Sequence, residues 1–254
     1  MTVSAPNARL TTLHRADGSA TYSHGGYSIL GSVNGPIEVT RRDELPEEAA
    51  VEVIVRPSVG VGSPKERHLE SIIHSLLRSV ILTRKLPRSL IQIVLQVMTL
   101  PEESEESMSP TASTCSLPLL PHLLQTALLA LLSSALPLSM TFSSILVALS
   151  SRDHQDVPTF SPTPQGIRSA TSLHVFTFSQ RGRCLISESS GTFSFNAYVE
   201  AYKVAEKMCT DPVGQDQDED IMVGLDEPAH NLTSFVRSKV AEKVESEQRW
   251  RRNS

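Results

Sequence analysis

Phosphate handling is the first chemistry that the residue pattern raises. Gly60-Val61-Gly62-Ser63-Pro64-Lys65 places glycines, a hydroxyl and a lysine between a strand-like and a helix-like run, where backbone N–H groups could cradle a phosphate. The run matches neither G-x-x-x-x-G-K-[ST] nor G-x-G-x-x-G, and a flexible turn is needed there in any case, so it reads as a turn. Eight histidines are scattered without His-x-x-x-His spacing, and Cys115, Cys184 and Cys209 stand far apart with no Cys-x-x-Cys. No metal centre, zinc ribbon, disulfide scaffold or cofactor is therefore expected. No G-x-S-x-G elbow supports a serine hydrolase. What is left is cationic: Arg41, Arg42, Arg56, Lys65, Arg67, Arg84, Lys85 and Arg88. Such side chains neutralise phosphates without reading bases, which is what sequence-tolerant threading of a polyanion requires. Singly, each has a plainer reading. Arg41 and Arg42 fall in a charged connector, Arg67 and Arg84 decorate or cap a helix, and Arg88 suits an ion pair between subunits.

The net charge of −5 conceals this basic body, because four acids fall in Glu102 to Glu106 and five in Asp211 to Asp220. Setting those nine aside leaves 19 acids against 23 bases, a balance that permits polyanion binding without demanding it. Residues Met1 to Pro6 have neither a basic nor an apolar region, so no secretory signal is expected and the sequon Asn231-Leu232-Thr233 carries no weight.

The elements that must position these cations follow from periodicity. Gly31 to Val39 is strand-like but broken by Asn34-Gly35-Pro36, which needs a tight turn and keeps the part around Pro36 out of a central sheet position. Val51 to Arg56 alternates, with three valines on one face and Arg56 on the other. From Lys65 to Leu82 the period lengthens: Leu69, Ile72, Ile73, Leu76, Leu77, Val80 and Ile81 make one helical face, started by Ser63 and Pro64. After Pro87, Ile91, Ile93, Leu95 and Val97 alternate with Gln92, Val94 and Gln96, predicting a strand with a partly polar second face. Upstream, Leu10 to His14 and Ala20 to Tyr22 read as a hairpin turning at Asp17-Gly18, and His24-Gly25-Gly26 as a second turn into Tyr27 to Leu30.

The second half reads differently. Glu102 to Ser116 is acidic and serine-rich and is expected to be a flexible insertion. Ser107 to Ser151 contains no Asp, Glu, Lys or Arg. Its helical piece, His122 to Leu136, lies between prolines and spans only about 22 Å at 1.5 Å per residue, against about 30 Å of hydrocarbon. A fully buried helix around Leu123 to Leu132, followed by a buried strand near Ile145 to Ala148, is therefore preferred to a membrane anchor spanning Leu117 to Leu149. Arg152 to Ser169 reads as a connector, Leu173 to Phe178 and Cys184 to Glu188 as a hairpin, and Phe195 to Met208 as a helix with Tyr198, Val199, Tyr202, Ala205 and Met208 on its apolar side. The expected organisation is one domain over 8–209, with an insertion at 101–116 and a connector at 152–169. An acidic linker at 210–228 and a C-terminal helix at 229–252 follow, the helix carrying a stripe of Leu232, Val236, Val240 and Val244 that should pack on a neighbour.

Several of these words resemble the RNase PH family. Ser32-Val33-Asn34-Gly35-Pro36-Ile37-Glu38, Arg56-Pro57, Lys65-Glu66-Arg67 with Leu69-Glu70, and Pro87 to Ile93 with Gln96 occur in that family's order and spacing, most like the RNase PH-like ring subunits of the exosome. Ala135 to Met140 and Ser189 to Phe193 are similar to later wording of the same family. The resemblance implies an α+β, RNase PH-like fold with mixed sheets packed on helices. It also implies other RNase PH-like subunits in a hetero-oligomeric ring and RNA as partners, no membrane, a place in nucleus, nucleolus and cytoplasm, and a role in ribosomal RNA processing and RNA decay. Active members carry a Gly-Thr-Arg-like phosphate motif before the central helix and acids around the first strand of the second unit. Here Thr114-Cys115-Ser116-Leu117-Pro118 stands before the helix, and no carboxylate occurs between Asp156 and Glu188. The expectation is a fold retained and a reaction lost. An active phosphate-dependent 3′–5′ exoribonuclease, using Arg78 or Arg88 for phosphate and Asp153 or Asp156 as the acid, is the alternative.

Overall fold

Alternating apolar residues build the first sheet. The structure, a computed structural model, describes residues 6–101, 116–152, 155–209 and 232–252. Strands β1 (Asn7–Leu10), β2 (Gly18–His24), β3 (Tyr27–Glu38), β4 (Ala50–Arg56) and β5 (Ser89–Thr99) form a sheet in the order β1-β2-β3-β5-β4. All pairs are antiparallel except β4 with β5, whose parallel crossover is the helix α1 (Pro64–Val80). Ile29, Val33, Val53, Val55, Ile91, Ile93, Leu95 and Val97 face one core, into which α1 inserts Leu69, Ile73, Leu76, Leu77 and Val80.

The Asn34-Gly35-Pro36 interruption is a bulge inside β3 rather than an end to it. Pairing with β2 stops at Gly18↔Val33, whereas pairing with β5 continues to Glu38↔Ser89. Pro36 thus sits where the strand has a neighbour on one side only, which is where its missing N–H is tolerated. Asp17 and Gly18 do not form the expected hairpin turn. The Asp17 carboxylate accepts the Gly35 N–H at 2.8 Å, and Gly18 opens β2 after a longer connection. The two-residue hairpin is the next one, where Gly25 and Gly26, at φ 60° and 86°, join His24 to Tyr27.

The glycine-rich run before α1 is consumed by helix capping. Ser63 is the N-cap, its hydroxyl accepts the Lys65 N–H at 3.3 Å, and the Glu66 carboxylate accepts the Ser63 N–H at 2.6 Å. Removing both side chains as Ser63→Ala/Glu66→Ala should cost about 1–2 kcal/mol of stability. Urea unfolding would read this as a lower midpoint, and an unchanged midpoint would mean that the box is not what starts the helix. The helix ends at Val80, two residues before the expected limit, because Ile81 leaves it to bridge Leu138.

The central helix α2 (Leu120–Ser133) explains the uncharged stretch. It lies between the first sheet and a second one, β7-β6-β8-β9, made of β6 (Phe142–Arg152), β7 (Gln155–Phe160), β8 (Ser172–Ser179) and β9 (Cys184–Gly191). It touches β2 and β3 on one side and β6 and β8 on the other. With protein all round, it has no face for charge. Among the described residues no helix is long and apolar enough to cross a membrane. Leu120 to Ser133 is also shorter than the expected His122 to Leu136, since Ala135 turns left-handed at φ 55°.

Helix α4 (Phe195–Cys209) covers the other face of the second sheet, so β8 is buried along its whole length. Its buried line is Ala197, Ala201, Ala205 and Cys209, and Tyr198, Tyr202 and Met208 only flank it. Alanines let the helix approach the sheet, while the tyrosines reach around its sides. The expected connector at 152–169 holds an edge strand, β7, with Pro158 where no further strand needs its N–H, and a short helix α3 (Pro164–Ser169). The acidic segments at 102–115 and 210–231 lie outside the described residues. The C-terminal α5 (Leu232–Glu247) packs back on β1, α2 and β6, and α6 (Arg249–Arg252) follows it. Val236 is buried, and Lys243 donates to the Ser133 carbonyl and, at 3.0 Å, to its hydroxyl at the C-terminal end of α2.

Candidate functional site

The two halves leave a cleft at the N-terminal end of α2. Its walls come from the Gly25-Gly26 turn, the first turns of α2, the middle of β6, the segment Ser161–Arg168 and the start of α5 at Leu232, and they enclose about 610 Å³. Pro121 at the start of α2 costs no hydrogen bond there and sets the helix direction. His122, one residue on, stacks against Tyr27 with ring centroids 4.6 Å apart and planes 20° apart. His24 lies 5.8 Å from the same ring, and Tyr22 6.0 Å. One turn further, Gln125 faces the cleft at 2% exposure, and among the described residues neither its Nε2 nor its Oε1 has a partner.

Electrostatically the cleft is quiet. Burial, with the neighbouring His24 adding to it, holds His122 down to about 3, so it is neutral at physiological pH. Burial pushes the Tyr22 hydroxyl above its ordinary value, so it stays protonated. The described lining includes one cation, Arg168, and no carboxylate. Among the described residues no group of three histidines, cysteines or acids could hold a metal ion. In the second sheet, His174 is fully buried between the hydroxyls of Ser172 at 3.0 Å and Ser189 at 2.8 Å, and burial lowers it to about 4.

These two histidines predict acid sensitivity. Each binds its proton less readily folded than unfolded, so the stability tied to the neutral ring is complete above about 6.5, the unfolded value, and is lost as pH falls from there toward the folded values. The loss between pH 6.5 and 5 should be about 1 kcal/mol per histidine after discounting for solvent access. Urea unfolding at pH 7 and pH 5 would measure it, and His174→Gln should flatten the dependence. A stability maximum below pH 5.5 would contradict this account.

None of the eight predicted cations lines the cleft. All are exposed, and the fold divides them. Arg56 ends β4, and Lys65 and Arg67 lie at the start of α1. Strand direction puts these three at the same end of the first sheet as the cleft, about 14 Å across three strand spacings from β2. Arg41 and Arg42 occupy a turn closed from the Asp43 N–H to the Thr40 carbonyl at 2.9 Å. Arg84 and Lys85 lie in a 3-10 turn after α1, and Arg88 precedes β5. These five are at the opposite end, roughly 25 Å away along α1. Arg67 pairs with Glu70 at 3.5 Å and Arg88 with Glu44 at 3.4 Å. Arg78, considered for phosphate in the active alternative, pairs with Glu48 at the far end too. Asp153 and the side chain of Asp156 lie outside the described residues.

Sequence reasoning did not single out His24, Tyr27, His122, Gln125 or Arg168. The signal for Gln125 was available as the one amide in an uncharged, leucine-rich helix. The aromatic partners carry none, since they lie on separate elements.

Residues 6–137 match the 3′ exoribonuclease family, domain 1 (RNase_PH). Over 212 residues the chain is 29% identical to the Saccharomyces cerevisiae protein named exosome complex component RRP46, covering 81% of this chain and 91% of that one. Over 183 residues it is 30% identical to exosome complex component rrp46 of Schizosaccharomyces pombe, covering 72% and 75%. Among solved structures, the crystal structure of rice (Oryza sativa) Rrp46 is similar in fold, with a TM-score of 0.68 at 20% identity over 94% of this chain and 96% of that one.

Proposed function

This chain belongs to the RNase PH family of 3′ exoribonuclease-type proteins, and from that membership we propose that it is a noncatalytic RNase PH-like subunit of an RNA exosome ring. In this reading it pairs with other RNase PH-like subunits and guides RNA 3′ ends to a nuclease elsewhere in the assembly, in ribosomal RNA maturation and RNA decay, in nucleus, nucleolus and cytoplasm. The relatives that match most of its length are named as components of that complex.

The observation that carries the noncatalytic part is the make-up of the cleft between the halves. Phosphorolysis needs cations to hold phosphate in line with the scissile bond and a carboxylate to bind metal or manage the proton. The described lining offers stacked neutral rings, prolines, hydroxyls and an amide, with Arg168 as its single cation. RNA affinity in this reading comes from exposed cations outside the cleft. Arg56, Lys65 and Arg67 are favoured because they share its end of the first sheet.

The test is to purify the protein with its native partners and incubate the assembly with single-stranded RNA, with and without phosphate, comparing wild type with Asp153→Ala/Asp156→Ala. Copurification with other RNase PH-like subunits and activity indifferent to both substitutions is the expected result. Phosphate-dependent release of nucleoside diphosphates, lost in the double variant, would place an active site in this chain instead.

A further inference from the structure

We propose that the end of the first sheet remote from the cleft docks an acidic surface of a partner protein, with Arg88 as the central contact. Backbone strain marks the residue. Arg88 holds φ at 58°, in the left-handed region where a Cβ is disfavoured and glycine is at ease. Its neighbours impose that conformation: the Arg88 N–H donates to the Leu45 carbonyl at 3.2 Å, and Ser89, next along the chain, pairs with Glu38 of β3. The fold therefore requires the turn but not an arginine in it. Within the chain the side chain does little, since its ion pair with Glu44, at 3.4 Å, leaves it 71% exposed, and pairs so exposed add little stability. A strained backbone carrying an exposed arginine gives up stability for a contact outside the chain.

The surroundings give the chemistry of that contact. Two loops meet at Arg88, residues 40–49 and 81–88, and the Ala49 N–H on the Thr83 carbonyl at 3.0 Å joins them a second time. They carry Arg41, Arg42, Arg84 and Lys85, all exposed and, among the described residues, without a carboxylate partner. Acids of the same loops are already engaged, Glu44 with Arg88, Glu48 with Arg78, and Asp43 with the Thr40 hydroxyl at 2.8 Å. The positive charge left uncommitted is what carboxylates on a partner complement. Leu45, and Ile37 beside the Glu38–Ser89 pair, are each 39% exposed and add apolar area next to Arg88. Arginine set among apolar residues is the make-up of a protein interface. RNA suits this end less well, because Asp43, Glu44 and Glu47 stand among the cations and repel a continuous run of phosphates, whereas a protein presents carboxylates singly. This docking surface goes beyond the ring-subunit reading and does not depend on it.

Carbodiimide cross-linking of the chain purified with its native partners tests this, because the reagent joins a lysine amine to a carboxylate already in contact, and Lys85 is the lysine of these two loops. Peptide mapping should show Lys85 joined to an Asp or Glu of another chain. Arg88→Gly should lower the yield of that cross-link at least fivefold while leaving the Tm of the full chain equal or higher, since glycine relieves the left-handed backbone. Arg88→Asn, also tolerant of that conformation, repeats both measurements should the glycine variant fail to fold. A Lys85 that forms no cross-link to another chain would overturn the proposal, whichever proteins copurify. So would a wild-type yield in folded Arg88→Gly or Arg88→Asn protein. A lower Tm in both variants would overturn it too, because the arginine would then serve this chain's own stability. Ultraviolet cross-links from these loops to RNA, with none from Lys85 to protein, would assign the surface to nucleic acid instead.

Discussion

Gly18→Ala is expected to lower Tm by roughly 6–12 °C, although it adds one methyl group. Gly18, Ala20 and Gly31 lie on the face of β2 and β3 that receives α2. A Cβ at Gly18 would overlap the Ala130 carbonyl oxygen and lie 2.5 Å from the Ser134 nitrogen. Both are backbone atoms near the end of α2, so relief requires the helix to move. That helix packs against both sheets, and shifting it opens the core on two sides. Overpacking of this kind costs about 3 kcal/mol or more, which for a chain of this size is the quoted range at 2–4 °C per kcal/mol. Gly62→Ala is the matched control. A Cβ there meets nothing within 4 Å, so thermal unfolding should be unchanged. A Gly18→Ala protein melting within 2 °C of wild type would mean that α2 has slack, and that the small residues under it are not what fixes its position.

Replacing Arg56, Lys65 and Arg67 together by alanine is expected to weaken single-stranded RNA binding by the purified assembly about 100-fold at low salt, and to reduce the slope of log affinity against log salt by about 2. The reason is additive phosphate neutralisation at one end of the first sheet, each cation contributing about 1 kcal/mol. Existing contacts do not hold Arg67 back. Its pairing with Glu70 is exposed on the arginine side, at 84%, and such pairs are worth about 0.5 kcal/mol. Glu70 keeps its orientation without Arg67, because it accepts the Val55 N–H at 2.9 Å. The other five cations, Arg41, Arg42, Arg84, Lys85 and Arg88, serve as the comparison, and their joint replacement should change affinity less than threefold. A larger loss from those five would move the RNA path to the opposite end of the sheet. Filter binding across a salt series distinguishes the two.

Local pattern carried much of this architecture. The period-two runs in β4 and β5, the three-and-four spacing in α1, and the Ser63-Pro64 start with Glu66 three residues after Ser63 each report a short-range constraint, and each stands in the structure within a residue or two. The resemblance to the RNase PH family, drawn from segments between Ser32 and Gln96, agrees with the family match over residues 6–137. Pattern misled where a residue answers to something distant in sequence. Asp17-Gly18 has the composition of a turn, yet Asp17 serves Gly35 and Gly18 serves α2. In α4 the large tyrosines suggested the buried line, but close approach to a sheet selects Ala197, Ala201 and Ala205.

The sequence by itself determined the element types outside the 152–169 segment, the family, and the buried character of the uncharged helix, because these follow from consecutive residues sharing one environment. Tertiary structure alone decided what the helix is buried against, which of eight similar cations stand together, and that Tyr27, His122, Gln125 and Arg168 wall one cavity. Those residues come from β3, α2 and α3, and no spacing along the chain encodes their meeting. It is set by strand order and by how closely glycine and alanine let α2 approach the sheets, and both belong to the packed core as a whole.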